Sequence, residues 1–275
     1  MKILTLNGPK AAINIFTAIC VFTLVYFGFI HNSDTLPVSG EPTKISYLVI
    51  IINGFGNGAD GTREFMYMDI PFTAAVMPGG SYTEDEAHRL LANGKEVIIN
   101  MPMEAKNMRN ISLPEISITD SNTKAEARAA LLKAIGQIPG ATGINNHLGT
   151  KVMENEELVT TILSTAMESN LYFVDTLTTN RSKALEVAES LGAKVYTADI
   201  LLDGRGDIRR IERNLRRAGE RAAENGFAVA VGHVGPQGGR ATAAAIQNIY
   251  TELRQKGVYI ITMSELISKL YTNST

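Results

Sequence analysis

The sequence predicts an α/β domain wound around a parallel sheet or barrel, preceded by one N-terminal transmembrane helix. Three observations predict this. An apolar run at residues 11–30 is long enough to cross a bilayer as a helix. From residue 45 onward, short runs rich in Val and Ile alternate with amphipathic stretches, the pattern of strands joined by crossover helices. Polar residues recur where those runs finish, which is where parallel α/β folds gather their sites.

The N-terminal run carries Lys2 and Lys10 before it and no positive charge just after it, which sets residues 1–10 in the cytoplasm. A cleaved signal peptide has a shorter apolar core and a small-x-small cleavage site. This run instead ends in Tyr26-Phe27-Gly28-Phe29-Ile30, so an uncleaved signal anchor over 11–30 is the expectation. Cys20 lies inside the run, away from any lipoprotein-type cleavage site. Residues 31–44 are polar and carry Pro and Gly, as a linker does. The domain from residue 45 to 275 is therefore expected at the cell membrane, on its extracytoplasmic side.

Eight strands are expected, at Ser46–Ile52, Phe72–Val76, Glu96–Ile99, Thr142–Ile144, Leu171–Val174, Lys194–Tyr196, Ala228–Val231 and Val258–Ile261. They are continuous apolar runs, not alternating ones, so both of their faces are buried and the sheet is parallel. Helices fill the intervals. Thr83 with Glu86, and Thr123 with Glu126, have the spacing of a capping box. After Asp203, residues Ile208, Ile211, Leu215, Ala218 and Ala222 form one buried stripe. Six arginines between Arg209 and Arg221 fall on the other faces, interspersed with acids, and read as a solvated surface. His88 falls within the helix beginning at Thr83 and reads as structural, and His31 flanks the membrane run.

Composition narrows the function. The net charge of -2 makes no case for a nucleic-acid partner. A single cysteine rules out an intrachain disulfide and thiolate metal sites. No tryptophan is available for stacking on sugars, although nine Tyr and nine Phe are. The glycine-rich segment after His233 lacks the Gly-Lys-Ser/Thr ending of a nucleotide loop. The polar strand ends are Asn53-Gly54, Asn100, Asn145-Asn146-His147, Asp175, Asp199 with Asp203, and Gly232-His233. Asp175 reads either as the partner that fixes a histidine tautomer or as a helix cap. His147 reads either as a hydrogen-bonded core histidine or as a residue of the pocket.

Five of these blocks, in order, carry a family resemblance. They are Ile51-Ile52-Asn53-Gly54-Phe55-Gly56, Asn100-Met101-Pro102-Met103-Glu104, Asn145-Asn146-His147-Leu148-Gly149-Thr150, Phe173-Val174-Asp175-Thr176 and Gly232-His233-Val234-Gly235. Together they resemble the signature blocks of the divergent polysaccharide deacetylases. The resemblance implies an irregular, incomplete (β/α) barrel of the carbohydrate esterase type. It also implies zinc or another divalent metal, and a glycan partner, an acetylated polysaccharide or peptidoglycan.

Carried over residue by residue, the resemblance assigns His147 as a metal ligand, with His233 and Asp175 as catalytic residues. Asn53, Asn100, Glu104, Asn145, Asn146 and Asp203 are assigned to the substrate pocket. The chain departs from the family at three positions. The family has two adjacent aspartates, base and ligand, where this chain has Asn53 and Gly54, and a ligand histidine where it has Asn100. An amide accepts no proton at neutral pH and is a poor zinc ligand, while a catalytic zinc takes three protein ligands. The expectation is a membrane-tethered glycan-handling protein with metal-dependent hydrolysis lost or altered. The alternatives are an active metal-dependent glycan deacetylase with a rearranged site, and a structural domain that binds another envelope protein.

Overall fold

The computed structural model describes residues 45–109, 111–204 and 207–272. The expected signal anchor and linker lie outside them. Among the described residues no helix is long and apolar enough to cross a membrane.

Nine strands form one sheet, parallel at every pairing. They are β1 (Ser46–Phe55), β2 (Thr73–Val76), β3 (Glu96–Met103), β4 (Gly143–Leu148), β5 (Tyr172–Asp175), β6 (Val195–Thr197), β7 (Ile200–Leu201), β8 (Phe227–His233) and β9 (Val258–Ile261). The order across the sheet is β6-β5-β4-β3-β2-β1-β8-β7. The N-terminal half of β1 pairs with β9, and its C-terminal half with β2. The two edge strands, β6 and β7, are successive along the chain. One short segment therefore pairs with β5 through Val195–Thr197 and with β8 through Ile200–Leu201, and the sheet curls into an irregular barrel.

The helices are α1 (Thr62–Met66), α2 (Thr83–Ala92), α3 (Lys124–Gln137), α4 (Glu156–Glu168), α5 (Ala184–Leu191), α6 (Ile208–Asn225), α7 (Arg240–Gln255) and α8 (Met263–Thr272). Residues of the strands divide between two cores by the period-two alternation of a pleated strand. Leu48, Ile50, Ile52, Ile99, Ile144 and Phe173 pack outward with the helices. Val49, Ile51, Ala75, Ile98, Val174, Val229 and Val231 fill the interior.

Most expected elements are present, with instructive differences. The strands β1, β3 and β4 run past their apolar stretches, so Asn53, Asn100, Asn145 and His147 lie inside strands and not after them. The neighbouring strands satisfy their backbone groups, and this overrides their polar side chains. The two-residue β7 carries too little pattern to read. The capping box at Thr123 forms, each partner bonding the other's amide. The one at Thr83 does not. Tyr82 occupies the cap position, and the Thr83 hydroxyl donates to the Met77 carbonyl. Glu86 reaches across to accept from the amides of Gly56 (2.6 Å) and Gly58 (2.8 Å), pinning the loop after β1. In α6 the stripe is buried at Ile211, Leu215, Ala218 and Ala222 as expected, while Ile208 in the first turn is only partly buried. Its cap is Asp207, which accepts from the amides of Arg209 and Arg210.

Candidate functional site

The interior parity decides which strand-end residues can meet. Asn53 follows Ile51, Asn100 follows Ile98, and His233 follows Val231, so all three take the inner side of the barrel at the carboxyl end of their strands. Asn145 and His147 alternate with the outward Ile144 and are inner as well. A cavity of about 440 Å³ opens there, lined by Asn53, Asn146, His147, His233 and Gln237, with the Leu148, Leu177, Ile200 and Leu201 aliphatic groups around them.

One side of this site is a histidine–carboxylate pair. The His233 ring lies 2.8 Å, through Nδ1, from Asp203 Oδ1. With a carboxylate as partner, that nitrogen carries the proton, which leaves Nε2 free. Asp203 Oδ2 accepts from the His233 amide (2.6 Å) and from the Thr242 hydroxyl (2.9 Å). The carboxylate fits because Gly238 lies beside it. A Cβ there would stand 2.3 Å from Asp203 Oδ2 and 2.0 Å from Thr242 Oγ1. The Asp203 expected in the pocket is thus the residue behind His233.

The other side is built of amides. Asn53 Oδ1 accepts from Asn145 Nδ2 at 2.8 Å, and both side chains are buried. Asn100, opposite Asn145 in the register, is fully buried, and neither its Oδ1 nor its Nδ2 has a partner. Asn145 Oδ1 is likewise unpartnered. Buried amide atoms without partners are costly, about 1–3 kcal/mol each, and uncommon away from sites. Beside them, burial first and the neighbouring His233 second push the His147 imidazole down to about 4, so His147 is neutral at physiological pH.

Besides that of Asp203, four expected assignments change. Asp175 is buried and alternates with Val174, so it takes the helix-facing side of β5, away from both histidines. Its Oδ1 accepts from the Leu177 amide at 2.9 Å, and burial raises its carboxyl above the ordinary aspartate range. The histidine tautomer is set by Asp203 instead. Glu104 is engaged elsewhere: it accepts from the Asp120 amide and pairs with Lys151 at 2.8 Å, contacts that hold its carboxyl below the usual range. Asn100 and Asn145, both expected in the pocket, lie behind the cavity wall, not on it.

Asn146 lines the cavity and also bonds to backbone groups. Its Oδ1 accepts from the Thr176 amide, and its Nδ2 donates to the Leu148 carbonyl and the Thr178 hydroxyl, tying the ends of β4 and β5 together. Leu148 (φ 60°) and Leu177 (φ 48°) both take left-handed backbone there. That conformation costs a residue with a Cβ about 1 kcal/mol or more. Extending the strand-end rule to apolar residues would have found both leucines in the sequence.

The residues present do not fit the divalent metal that the resemblance implies. Among the described residues no group of three or more His, Cys, Asp or Glu is placed to hold a metal ion. His233 Nδ1 is committed to Asp203, and the positions beside His147 carry amides. Gly54 has φ 93°, in backbone that L side chains rarely adopt, at a register shift between Asn53 and Phe55. Glycine offers no ligand atom there, and the left-handed backbone is one that an aspartate rarely adopts.

The curled parallel sheet with a polar site at its strand ends defines an α/β fold of the kind found in polysaccharide deacetylases. Residues 50–267 match the divergent polysaccharide deacetylase family, and the chain belongs to it. It is 27% identical over 213 residues to the uncharacterized protein YibQ of Escherichia coli, a match covering 76% of this chain and 65% of that protein's length. An uncharacterized protein of Haemophilus influenzae is 24% identical over 213 residues, 78% of this chain and 75% of that one. Among solved structures, the uncharacterized protein ATU2773 from Agrobacterium tumefaciens superimposes with a TM-score of 0.75 at 21% identity, over 81% of this chain and 89% of that one. The Bc1960 peptidoglycan N-acetylglucosamine deacetylase does so with a TM-score of 0.52 at 15% identity, over 82% and 89%. These likenesses concern the fold.

Proposed function

We propose that this protein binds glycan at the cell envelope without hydrolysing it by metal chemistry. In this reading residues 11–30 anchor it in the membrane, and the barrel faces the extracytoplasmic side. The observation that carries the reading is the amide side of the site. Where the family places a base and two metal ligands, this chain has Asn53, Gly54 and Asn100. Asn53 is hydrogen-bonded to Asn145 in place of a reactive partner. Amides and the neutral His147 imidazole pair well with the hydroxyl and acylamino groups of a sugar. Family membership supports a glycan as the ligand.

A second reading has one observation in its favour. The His233–Asp203 pair is intact, and Nε2 of such a histidine is a competent proton acceptor. In that reading the chain hydrolyses acyl groups with His233 as base and no metal.

The test uses the full-length chain after chelation and zinc reloading. The expected result is no stoichiometric zinc, together with a rise in melting temperature on adding N-acetylglucosamine oligomers, because a ligand selective for the folded state stabilises it. Stoichiometric zinc that disappears in His147→Ala would overturn the loss of the metal site. Release of acetate from the oligomers that persists in chelator and stops in His233→Ala would establish the second reading.

A further inference from the structure

The cavity above the two histidines has a collar of aliphatic residues. Leu177 is 47% exposed and Leu201 is 56% exposed at its mouth, with Leu148 and Ile200 beside them. Among the described residues that line it, there is no Phe, Tyr or Trp for stacking on a sugar face, and no Lys or Arg for an anion. Its one carboxylate, Asp199, is already engaged by the Val229 amide and by Arg221.

The collar is held in place by buried polar groups. Leu148 and Leu177 are both left-handed, a conformation leucine avoids. Asp175 fixes the Leu177 amide, and Asn146 with Thr178 fixes the Leu148 carbonyl. Asp175 and Asn146 are each only 1% exposed. Strain persists where surrounding structure over-determines it, and such places gather at ligand sites. Here the strained residues are the ones that carry apolar side chains to the rim, while the floor below them is Asn53 and the two histidines.

The geometry points to a ligand that is an N-acyl amide with an aliphatic acyl chain longer than acetyl. Its amide lies on the Asn53, His147 and His233 floor, and its chain lies against Leu148, Leu177 and Leu201. Asp175 and Asn146 are positioning residues for that collar. The inference deepens the glycan-binding reading and rests on it for the sugar that bears the amide, though not for the amide and chain.

The test titrates the full-length chain with chitotetraose carrying N-acetyl, N-butyryl or N-hexanoyl groups. A second arm, without sugar, uses N-methylacetamide and N-methylhexanamide. Binding is read from the imidazole resonances of His147 and His233. The expected result is on the order of tenfold tighter binding of butyryl over acetyl, since two methylenes leave water. Leu177→Ser and Leu201→Ser should flatten that dependence while leaving the fold intact, both side chains being exposed. Chain-length dependence confined to the sugar-free amides supports the collar and removes the glycan reading. Affinity independent of chain length, unchanged dependence in both serine variants, or no binding of any probe overturns the inference.

Discussion

Polar groups around Glu96, at the amino end of the strands, and around Asn100, at the carboxyl end, are treated in opposite ways, although the buried Ser46 hydroxyl at the amino end also lacks a partner. At the amino end of the strands, Glu96 of β3 accepts from the hydroxyls of Thr73 (2.6 Å), Thr142 (2.9 Å) and Tyr172 (3.0 Å). It also accepts from the amides of Met263 and Ser264 and from the Ser264 hydroxyl. Those last three seat the start of α8 beneath the sheet. Burial, then the nearby Glu96, raises the Tyr172 phenol well above its ordinary range. At the carboxyl end, Asn100 and Asn145 leave three buried side-chain atoms without partners, and two leucines hold strained backbone. A buried polar group with every valence used is part of the scaffold. Those left unsatisfied here lie just behind the wall of the cavity, where they cost stability without closing the scaffold.

The comparison breaks first at Glu96. Glu96→Ala leaves several buried donors unpaired and frees α8, so denaturant unfolding should show a loss of about 3 kcal/mol or more. A loss below about 1 kcal/mol would mean that water replaces the carboxylate, and the amino end would not be closed.

The next largest effect is expected from pH. His147 has a folded pKa of about 4, below the ordinary 6.5. Above 6.5 both folded and unfolded states hold it neutral, and its contribution to stability is complete. Between 6.5 and about 4 the unfolded chain takes up the proton and the folded chain does not, so stability falls as the pH falls. The ceiling is about 3 kcal/mol, reduced because the ring is partly open to solvent. His147→Gln should flatten the stability profile across that window. If the variant and the parent titrate in parallel, the imidazole is solvated.

Smaller effects sharpen the carboxyl end. Asn100→Leu removes two orphaned atoms and keeps the branched outline in a somewhat larger side chain, so unfolding should show a net gain of about 1 kcal/mol at most. A comparable loss would place an ordered partner on the amide. Leu177→Gly relieves the left-handed backbone but loosens the unfolded chain, for a net gain of about 0.5 kcal/mol at most. Thermal melts should show the same small gain for Leu148→Gly, and a clear loss at either position would mean that the leucine side chain contributes more than its backbone costs.

Much of the barrel was legible in the sequence because its strands are buried on both faces. Continuous runs such as Leu48–Ile52 and Val97–Ile99 have no competing interpretation once the flanking turns are read. The polar strand ends were legible too, since Asn53, His147 and His233 interrupt such runs. The site was only half legible. Asp175, Asp203 and Glu104 are carboxylates of similar local setting, and composition cannot say which of them reaches a histidine. The positions of Leu148 and Leu177 at strand ends can be read from the sequence, but their left-handed backbone cannot. β7 is too short to carry a pattern at all.

The sequence by itself determined the parallel α/β architecture, the family, and the loss of ligand-type side chains at Asn53, Gly54 and Asn100, because these depend on residue type and local period. Only the tertiary structure decided that Asp203 orients His233 while Asp175 faces the helices, since that choice rests on strand parity and register across the curled sheet. It also decided that Asn53 bonds Asn145, a pair 92 residues apart. Contacts at that separation arise from how the sheet closes, and no local stretch of the chain encodes them.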